Sequence, residues 1–301
     1  MSSILTLIAA PGKAQLTGDI LGAVQTAVEA IGAAVDSPIT LAPGEAVDLP
    51  FAGIMPAMAA AAARDALGSN AIDAVAQPTA HRRKALLVAD MDSTIIDGET
   101  IDAMAALTGR AEEVSAITAA AMRGEIDFAN SLRRRVALFA DCDESLLAHV
   151  RDEDIRLNPG ARTLLATMRA HGAYAVLVSG GFTLFTEYVA DLAGFDAHQG
   201  NTVKIVGGRL TGLVAEPIIN RDGKRQALHA IEAERGIAND AVLAVGDGAN
   251  DLDMLAAAGL GVAYHAKPAV AEAASARIDH ADLTALLYLQ GYRADDFAAG
   301  P

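Results

Sequence analysis

The chain is short of cysteine, of basic residues and of long apolar runs, and each shortage excludes a class of protein. Cys142 is its only cysteine, so no internal disulfide can form and an oxidising compartment is not indicated. The formal net charge of −15 argues against general binding to nucleic acid or to acidic membranes. The Ala-rich stretch Met55–Ala63 is far shorter than the roughly 20 residues that a membrane span needs.

The residues that are present suit a globular protein of two domains. The chain has 301 residues, and the 52% that are hydrophobic supply ample material for a core. The first eight residues lack the basic start and the long apolar centre of a secretory signal, so we expect them to begin a strand. We therefore expect a cytoplasmic protein without nucleic-acid or membrane partners, either a monomer or a homodimer.

Three segments differ in their patterns. Residues 1–80 predict a small α/β unit, and residues 77–84 have the polar, basic composition of a linker. Residues 84–293 alternate strands and helices, which is typical of an α/β fold with a doubly wound parallel sheet. Amphipathic helices at about 99–158 interrupt this alternation and predict an inserted helical cap, whereas 294–301 form a tail.

The periodicity also predicts individual elements. Paired glycines at 207–208 favour a tight hairpin turn between strands at 203–206 and 209–211. The other predicted strands lie at 4–9, 85–89, 173–178 and 241–245, and the predicted helices at 18–32, 56–67, 161–171, 183–192 and 225–235.

The most informative segment is Asp90-Met91-Asp92-Ser93-Thr94, which follows the predicted strand at 85–89. The carboxyl ends of strands are where open α/β sheets bind ligands. Two aspartates one residue apart can divide the labour there, one as a nucleophile and the other as a proton carrier, and the pair also attracts a divalent cation. The alternative is a solvated turn, since Asp and Ser are ordinary turn residues.

Three further segments carry groups that suit a phosphate. Ser179-Gly180-Gly181 follows a predicted strand and precedes a helix, where a hydroxyl and backbone amides can hold an anion; a plain tight turn is the alternative. Lys224 stands at the opening of a predicted helix, where the helix dipole disfavours a cation, although it could simply face solvent. The segment 246–251 offers oxygen ligands in Asp247 and Asp251 and an amide in Asn250, or else it caps a helix.

In this order the four segments resemble the motifs of the haloacid dehalogenase superfamily of phosphatases, with Asp90–Thr94, Ser179, Lys224 and Gly246–Asp251 as the matching positions. A closer resemblance, to the phosphoserine phosphatases, rests on 92–102, 127–136 and 178–182 and extends from about residue 84 to 293. It implies hydrolysis of O-phospho-L-serine through an aspartyl-phosphate, the last step of serine biosynthesis. Residues 1–80 occupy the place of a regulatory domain that resembles the ACT fold in some members.

The resemblance also implies roles for single residues, and all of them refer to this sequence. Asp90 is expected to be the nucleophile and Asp92 the acid and base, with Mg2+ held by Asp90, the backbone carbonyl of Asp92 and Asp247. The phosphate is expected to contact Ser179, the Gly180 amide, Lys224 and Asn250. From the cap, Glu99 is expected to contact the serine ammonium and Arg135 its carboxylate, beside an apolar wall of Met122 and Phe128, while Asp251 orients Lys224 or a metal-bound water.

Two other functions stay open at this point, and a third is disfavoured. The same motifs serve an enzyme that transfers the phosphoryl group to another alcohol, such as homoserine, instead of to water. They equally serve a phosphatase for another small phosphomonoester. The third reading, a non-catalytic amino-acid sensor, is disfavoured because the nucleophile, the acid and the metal carboxylate are all present.

Overall fold

The computed structural model describes residues 2–300, so Met1 and Pro301, the outermost residues of the predicted N-terminal unit and tail, lie outside the described residues. The first seven elements form a five-stranded antiparallel sheet with two helices on one face. They are β1 (Ser3–Ala9), α1 (Gly18–Ala30), β2 (Ala34–Val35), β3 (Ile39–Ala42), β4 (Ala46–Ala52), α2 (Pro56–Leu67) and β5 (Ile72–Pro78).

Strand β1 is buried on both of its faces. Because successive side chains of a strand point to opposite faces, Leu5 and Leu7 pack against α1 and α2 while Ile8 joins the core of the second unit. Thr6, on the same face as Ile8, is fully buried and donates to Asp48 of β4 over 2.7 Å. The N-terminal sheet is therefore covered by its own helices on one side and by the rest of the chain on the other.

The second unit is the predicted doubly wound α/β fold. Its six strands run parallel in the order β13-β12-β11-β6-β7-β8. Their bounds are β6 (Leu86–Ala89), β7 (Tyr174–Phe182), β8 (Ala197–Asn201), β11 (Val242–Gly246), β12 (Leu260–Tyr264) and β13 (Ala276–Ile278). The six helices that accompany them are α7 (Ala161–Ala170), α8 (Thr183–Ala193), α9 (Arg221–Arg235), α10 (Leu252–Ala257), α11 (Pro268–Ala273) and α12 (Ala285–Leu289).

The central strand β6 explains why this sheet needs a layer on each side. Leu86 and Val88 belong to one apolar cluster, together with residues of α9, whereas Leu87 and Ala89 belong to another on the opposite face. Strand β6 also lies where the strand order reverses, between β7 on one side and β11 on the other. Ligands of such sheets bind beyond the carboxyl ends of the strands at this reversal.

A group of short helices interrupts the unit between β6 and α7, as the sequence predicts. The helices are α3 (Thr100–Leu107), α4 (Ala111–Met122), α5 (Phe128–Ala137) and α6 (Ser145–His149), followed by a π-helical turn at Val150–Asp154. The hairpin of β9 (Val203–Val206) and β10 (Arg209–Val214) turns at Gly207 and Gly208, whose φ angles of 59° and 76° are positive as a primed turn requires. It packs against the end of α5, where a Cβ at Gly212 would lie 3.3 Å from the Cα of Ala137.

Two of the boundaries that differ from the prediction lie beside Ser179 and Lys224. Strand β7 does not end at Val178 but continues to Phe182, so Ser179 and both glycines belong to the end of the strand. Helix α9 begins at Arg221 and not at Arg225, because the Asn220 side chain caps it by accepting from the Gly223 amide over 2.9 Å. Residues 221–223, which precede the predicted helix, therefore belong to its first turn. Across residues 2–300, every helix is too short or too polar to cross a bilayer.

Candidate active site

Two aspartates follow β6 and point in different directions. The Asp90 side chain is almost fully buried, and its Oδ1 accepts from the Met91 amide over 2.7 Å. Asp92 instead faces the cap and β7: its Oδ1 accepts from the Thr100 amide over 2.8 Å, and its Oδ2 lies 3.4 Å from the Ser179 hydroxyl. The chain turns sharply between them and α3, with Ser93 at a φ of 54°. The two carboxylates therefore point to different places, as expected if one is a nucleophile and the other a proton carrier.

Lys224 balances the charge of the site. Its side chain is 1% exposed, and its Nζ lies 2.6 Å from Asp90 Oδ1 and 2.6 Å from Asp251 Oδ1. Burial alone would lower the pKa of Lys224, but the charges of Asp251 and Asp90 more than offset it, so the pKa is raised and the ammonium is retained. The two carboxylates also offset the unfavourable dipole of the first turns of α9.

A third acidic group completes the cluster. One oxygen from each of Asp90, Asp247 and Asp251 can lie within 4.8 Å of the other two. Burial, followed by the charge of Asp90, raises the pKa of Asp247 to about 6 and that of Asp251 to about 7. Three carboxylates held this close repel one another, and such an oxygen set fits a hard divalent cation. The Asp92 side chain is not part of this cluster; the predicted ligand from that residue was its backbone carbonyl.

In the loop after β11, the backbone at Gly248 lies close to the side chains of Asp251 and Asn250. Asp251 is fully buried and its Oδ2 accepts from the Gly248 amide over 3.0 Å. Asn250 folds back in the same loop so that its Oδ1 lies over Gly248. Thr94, from the loop after β6, approaches Asp247 Oδ1 at 3.4 Å. The sequence-predicted residues of both loops therefore meet at one point.

Ser179 and Gly180 form the third wall, at the end of β7. The Ser179 hydroxyl accepts from the Gly181 amide over 2.8 Å, which fixes its rotamer next to Asp92. Gly180 lies against the ring of Phe128 on α5, since a Cβ at Gly180 would stand 2.6 Å from the ring Cζ. This contact closes the cap onto the sheet. Met122, the other predicted apolar wall, is instead 63% exposed.

The cap contributes one acid and one base beside Asp92. Glu99 Oε1 accepts from the Ser93 hydroxyl over 2.9 Å, and burial, followed by the charge of Asp92, raises the pKa of Glu99 to about 8. Burial lowers the pKa of Arg135, and Glu99 partly restores it, so the two side chains interact. Burial is also the main reason why the pKa of Asp92 itself is raised to about 6. Acid and base groups with separated pKa values are typical of a catalytic site.

Two contacts of the site have no counterpart in the sequence prediction. Thr100 fixes Asp92 through its backbone amide, which leaves no trace in the sequence because every residue except proline has that group. Lys267, just before α11, is the other cation that acts on Asp247 and lies 3.7 Å from the sulfur of Met122. Its only sequence signal is the following proline, which predicts a helix start and says nothing of the site.

The comparison with known families agrees with this fold. Residues 87–256 match the model of the haloacid dehalogenase-like hydrolases. The chain belongs to that family. Within it, the chain is similar to phosphoserine phosphatases, as three relatives indicate.

The phosphoserine phosphatase of Streptomyces coelicolor is 42% identical over 99% of this chain and 75% of its own length. Phosphoserine phosphatase SerB2 of Mycobacterium tuberculosis is 47% identical over 70% of this chain and 52% of its own length, so the chain spans between half and three quarters of these relatives. A solved phosphoserine phosphatase with an analogue of the phospho-aspartyl intermediate superposes with a TM-score of 0.64 at 35% identity, over 68% of this chain and 98% of the other.

Proposed function

We propose that this protein hydrolyses O-phospho-L-serine to L-serine and phosphate, by way of a phosphoryl group carried on Asp90. The observation that carries the proposal is the pair of carboxylates after β6: Asp90 beside Lys224, and Asp92 turned 3.4 Å from Ser179. One of them is tied to a buried cation and the other has its pKa raised to about 6, which suits a nucleophile and a proton donor, respectively.

In the first half of the reaction, a carboxylate oxygen of Asp90 forms a bond to phosphorus while the bond from phosphorus to the serine oxygen breaks. Asp92 gives its proton to that oxygen as it leaves. In the second half, a water attacks phosphorus and transfers a proton to Asp92, and the bond to Asp90 breaks. One side chain therefore acts first as the acid and then as the base, and both residues return to their starting state.

The remaining groups hold the phosphoryl oxygens. Lys224, the Ser179 hydroxyl, the Gly180 amide and Asn250 supply donors that are fixed before the substrate arrives, so little reorganisation is needed as charge develops. Lys224 must then share its donors between Asp251, Asp90 and the phosphate. Its rigid hold by Asp251 over 2.6 Å keeps it in position for this.

We assign Mg2+ to Asp90, Asp247 and the backbone carbonyl of Asp92, because the oxygen donors at this point suit a hard cation and because carboxylates crowd together there. When bound, the ion offsets the repulsion between the Asp90 carboxylate and the phosphate dianion. Mn2+ or Co2+ could substitute in the same oxygen-rich site, although cellular abundance favours Mg2+.

We also propose a cytoplasmic location. Light scattering would decide between a monomer and a homodimer.

At the cap, Glu99 and Arg135 match the two charges of an amino acid. A carboxylate can accept from an ammonium, and a guanidinium can pair with a carboxylate through two parallel hydrogen bonds. Both groups are largely buried, and the charge of Glu99 acts on the pKa of Arg135, which fits a site that takes the ammonium and carboxylate of one serine. This pair, and not the phosphate site, supports serine as the substrate.

The test is phosphate release from O-phospho-L-serine and from a panel of other phosphomonoesters, with and without Mg2+. We expect phosphoserine to have the highest kcat/KM and Asp90→Asn to lower it at least about a thousandfold. Mass analysis of the trapped enzyme should find one phosphoryl group on Asp90. Product analysis with added homoserine separates hydrolysis from transfer, since only a transferase makes a new ester. A covalent adduct on any other residue would contradict the proposal.

A further inference from the structure

The cap contains buried polar atoms that have no hydrogen-bond partner in the described part of the chain. Ser131, on α5, is 1% exposed, and its hydroxyl finds no hydrogen-bond partner within residues 2–300. The same holds for the Nε of Arg135, one helical turn further along. A buried donor without a partner is costly, so each such group in a folded protein calls for a physical reason.

Helix geometry places these two groups together. Residues three and four apart share one face of a helix, so Phe128, Ser131 and Arg135 lie along a single stripe of α5. Both ends of that stripe reach the site: Phe128 covers Gly180, and Arg135 interacts with Glu99. Ser131 lies between them on that stripe, which meets the end of β7 at Phe128 and Gly180.

The donors on this stripe suit one ligand group. A carboxylate has two oxygens that accept about four hydrogen bonds, whereas an ammonium accepts none. Since Arg135 and Ser131 present N–H and O–H donors, they match the α-carboxylate of serine, while Glu99 matches its ammonium. Phosphate is already surrounded by the groups after β6, β7 and β11.

We infer that Ser131 is a specificity residue that, together with Arg135, binds the α-carboxylate of the substrate and so distinguishes amino-acid phosphates from phosphorylated amines. This inference rests on the proposed function and goes beyond it, because it names a residue whose loss should alter selection without altering chemistry.

The experiment compares O-phospho-L-serine with O-phosphoethanolamine, which has the same phosphate and ammonium but no carboxylate. In Ser131→Ala we expect KM for phosphoserine to rise about tenfold, as the loss of one hydrogen bond to a charged group implies, with kcat unchanged. KM for phosphoethanolamine, or its Ki against an aryl phosphate where turnover is slow, should stay the same. Thr118→Val is the matched control, since Thr118 is on α4 and also has a buried hydroxyl without a partner.

Thermal unfolding separates this role from a structural one. Removing a buried hydroxyl that has no partner should leave the Tm of Ser131→Ala unchanged or slightly raised, whereas a structural role predicts a lower Tm. The inference is overturned if phosphoserine keeps its KM, if both substrates weaken equally, or if Thr118→Val has the same effect. A wild-type enzyme that is inactive on phosphoserine overturns the proposed function as well, so the two failures are distinguishable.

Discussion

At the scale of single residues, the site is organised by one buried cation between two buried carboxylates. Lys224, Asp90 and Asp251 are each 6% exposed or less at the side chain. Such a group is a poor source of stability, because desolvation cancels much of the attraction, but removing one member leaves an uncompensated buried charge. The arrangement is therefore better explained by function than by folding.

Lys224→Met tests this balance. With both carboxylates left unpaired, we expect the free energy of unfolding to fall by about 3–5 kcal/mol in the absence of a divalent cation. Chemical denaturation measures it. Adding Asp251→Asn should recover part of the loss, because one of the two unpaired charges is then removed, and a double variant less stable than Lys224→Met would contradict the account.

The pKa of Glu99 yields a prediction with a defined sign. Burial and the charge of Asp92 raise this pKa from 4.5 to about 8, so near pH 6 the group is protonated and must release its proton before it can accept from an ammonium. In protein without added divalent cation, affinity for L-serine should therefore rise with pH, by about tenfold per pH unit, and level off near pH 8. Titration calorimetry from pH 6 to 8 measures it.

Glu99→Gln is the control for that titration. An amide does not ionise in this range, so its affinity for L-serine should be low and independent of pH. Mg2+ should move the midpoint of the wild-type curve to lower pH, because it offsets the charges of Asp90 and Asp247 that help to raise the pKa. A pH-dependent Glu99→Gln variant would assign the titration to another group.

How much of the site can be predicted from the sequence depends on how local each contact is. Asp90, Asp92 and Asp247 follow directly from strand ends, so their spacing was enough. Arg135 is one of three consecutive arginines, and only the phase of α5 distinguishes it: Arg133 is exposed and pairs with Glu216, whereas Arg135 points inward. Ser131 could not be assigned from sequence, since an unpartnered hydroxyl is visible only in three dimensions.

At the scale of elements, the errors of boundary have a common cause. Glycine and Asx residues are typical of turns, yet here they lie inside regular structure. Strand β7 passes through Gly180 and Gly181 because Phe128 and Asp92 occupy the space of their missing side chains. The first turn of α9 contains Asp222 and Gly223 because the side chain of Asn220 accepts a hydrogen bond from the Gly223 amide. The residue types correctly indicate that these positions are unusual, but they do not indicate which backbone conformation is adopted.

Close packing of α10 against β12 also fixes the position of the loop at 246–251. Helix α10 follows Asp251 directly and lies against β12, where a Cβ at Gly261 would overlap the backbone carbonyl of Leu255. Backbone cannot move aside as a side chain can. Gly261→Ala should therefore shift α10, lower the free energy of unfolding by about 2 kcal/mol or more, and reduce affinity for Mg2+.

Gly22→Ala is the matched control for that substitution. Gly22 lies within α1 with open space around its Cα, so alanine there should stabilise the protein by up to about 1 kcal/mol, since glycine is a poor helix former. Denaturation and cation titration of both variants decide the matter. Equal effects of the two changes would mean that β12 and α10 have more freedom than the packing indicates.

At the scale of the whole molecule, the N-terminal unit is bound to the second unit by buried polar contacts. Arg82 pairs with Asp48 over 2.6 Å and 2.7 Å and also donates to the carbonyls of Tyr288 and Leu289. Asp73, on β5, accepts from three backbone amides at 279–281. The sequence predicts a linker at 77–84, whereas the side chain of Arg82 is only 15% exposed.

Arg82→Met tests whether the two units unfold as one. The change leaves Asp48, whose side chain is 3% exposed, as a buried charge without its partner, and it also removes donors from two carbonyls of the second unit. We expect the free energy of unfolding to fall by about 3–5 kcal/mol, and we expect an earlier transition in which the N-terminal unit separates.

Arg225→Met is the control. It removes only an exposed pair with Asp222, so its free energy of unfolding should stay within about 0.5 kcal/mol of the wild type. Within residues 2–300 the hydrogen bonds of Arg82 go to Thr6, Asp48, Tyr288 and Leu289 and not to the catalytic loops, so phosphate release by Arg82→Met should persist below that first transition. An unchanged single transition would show that apolar packing alone holds the units together.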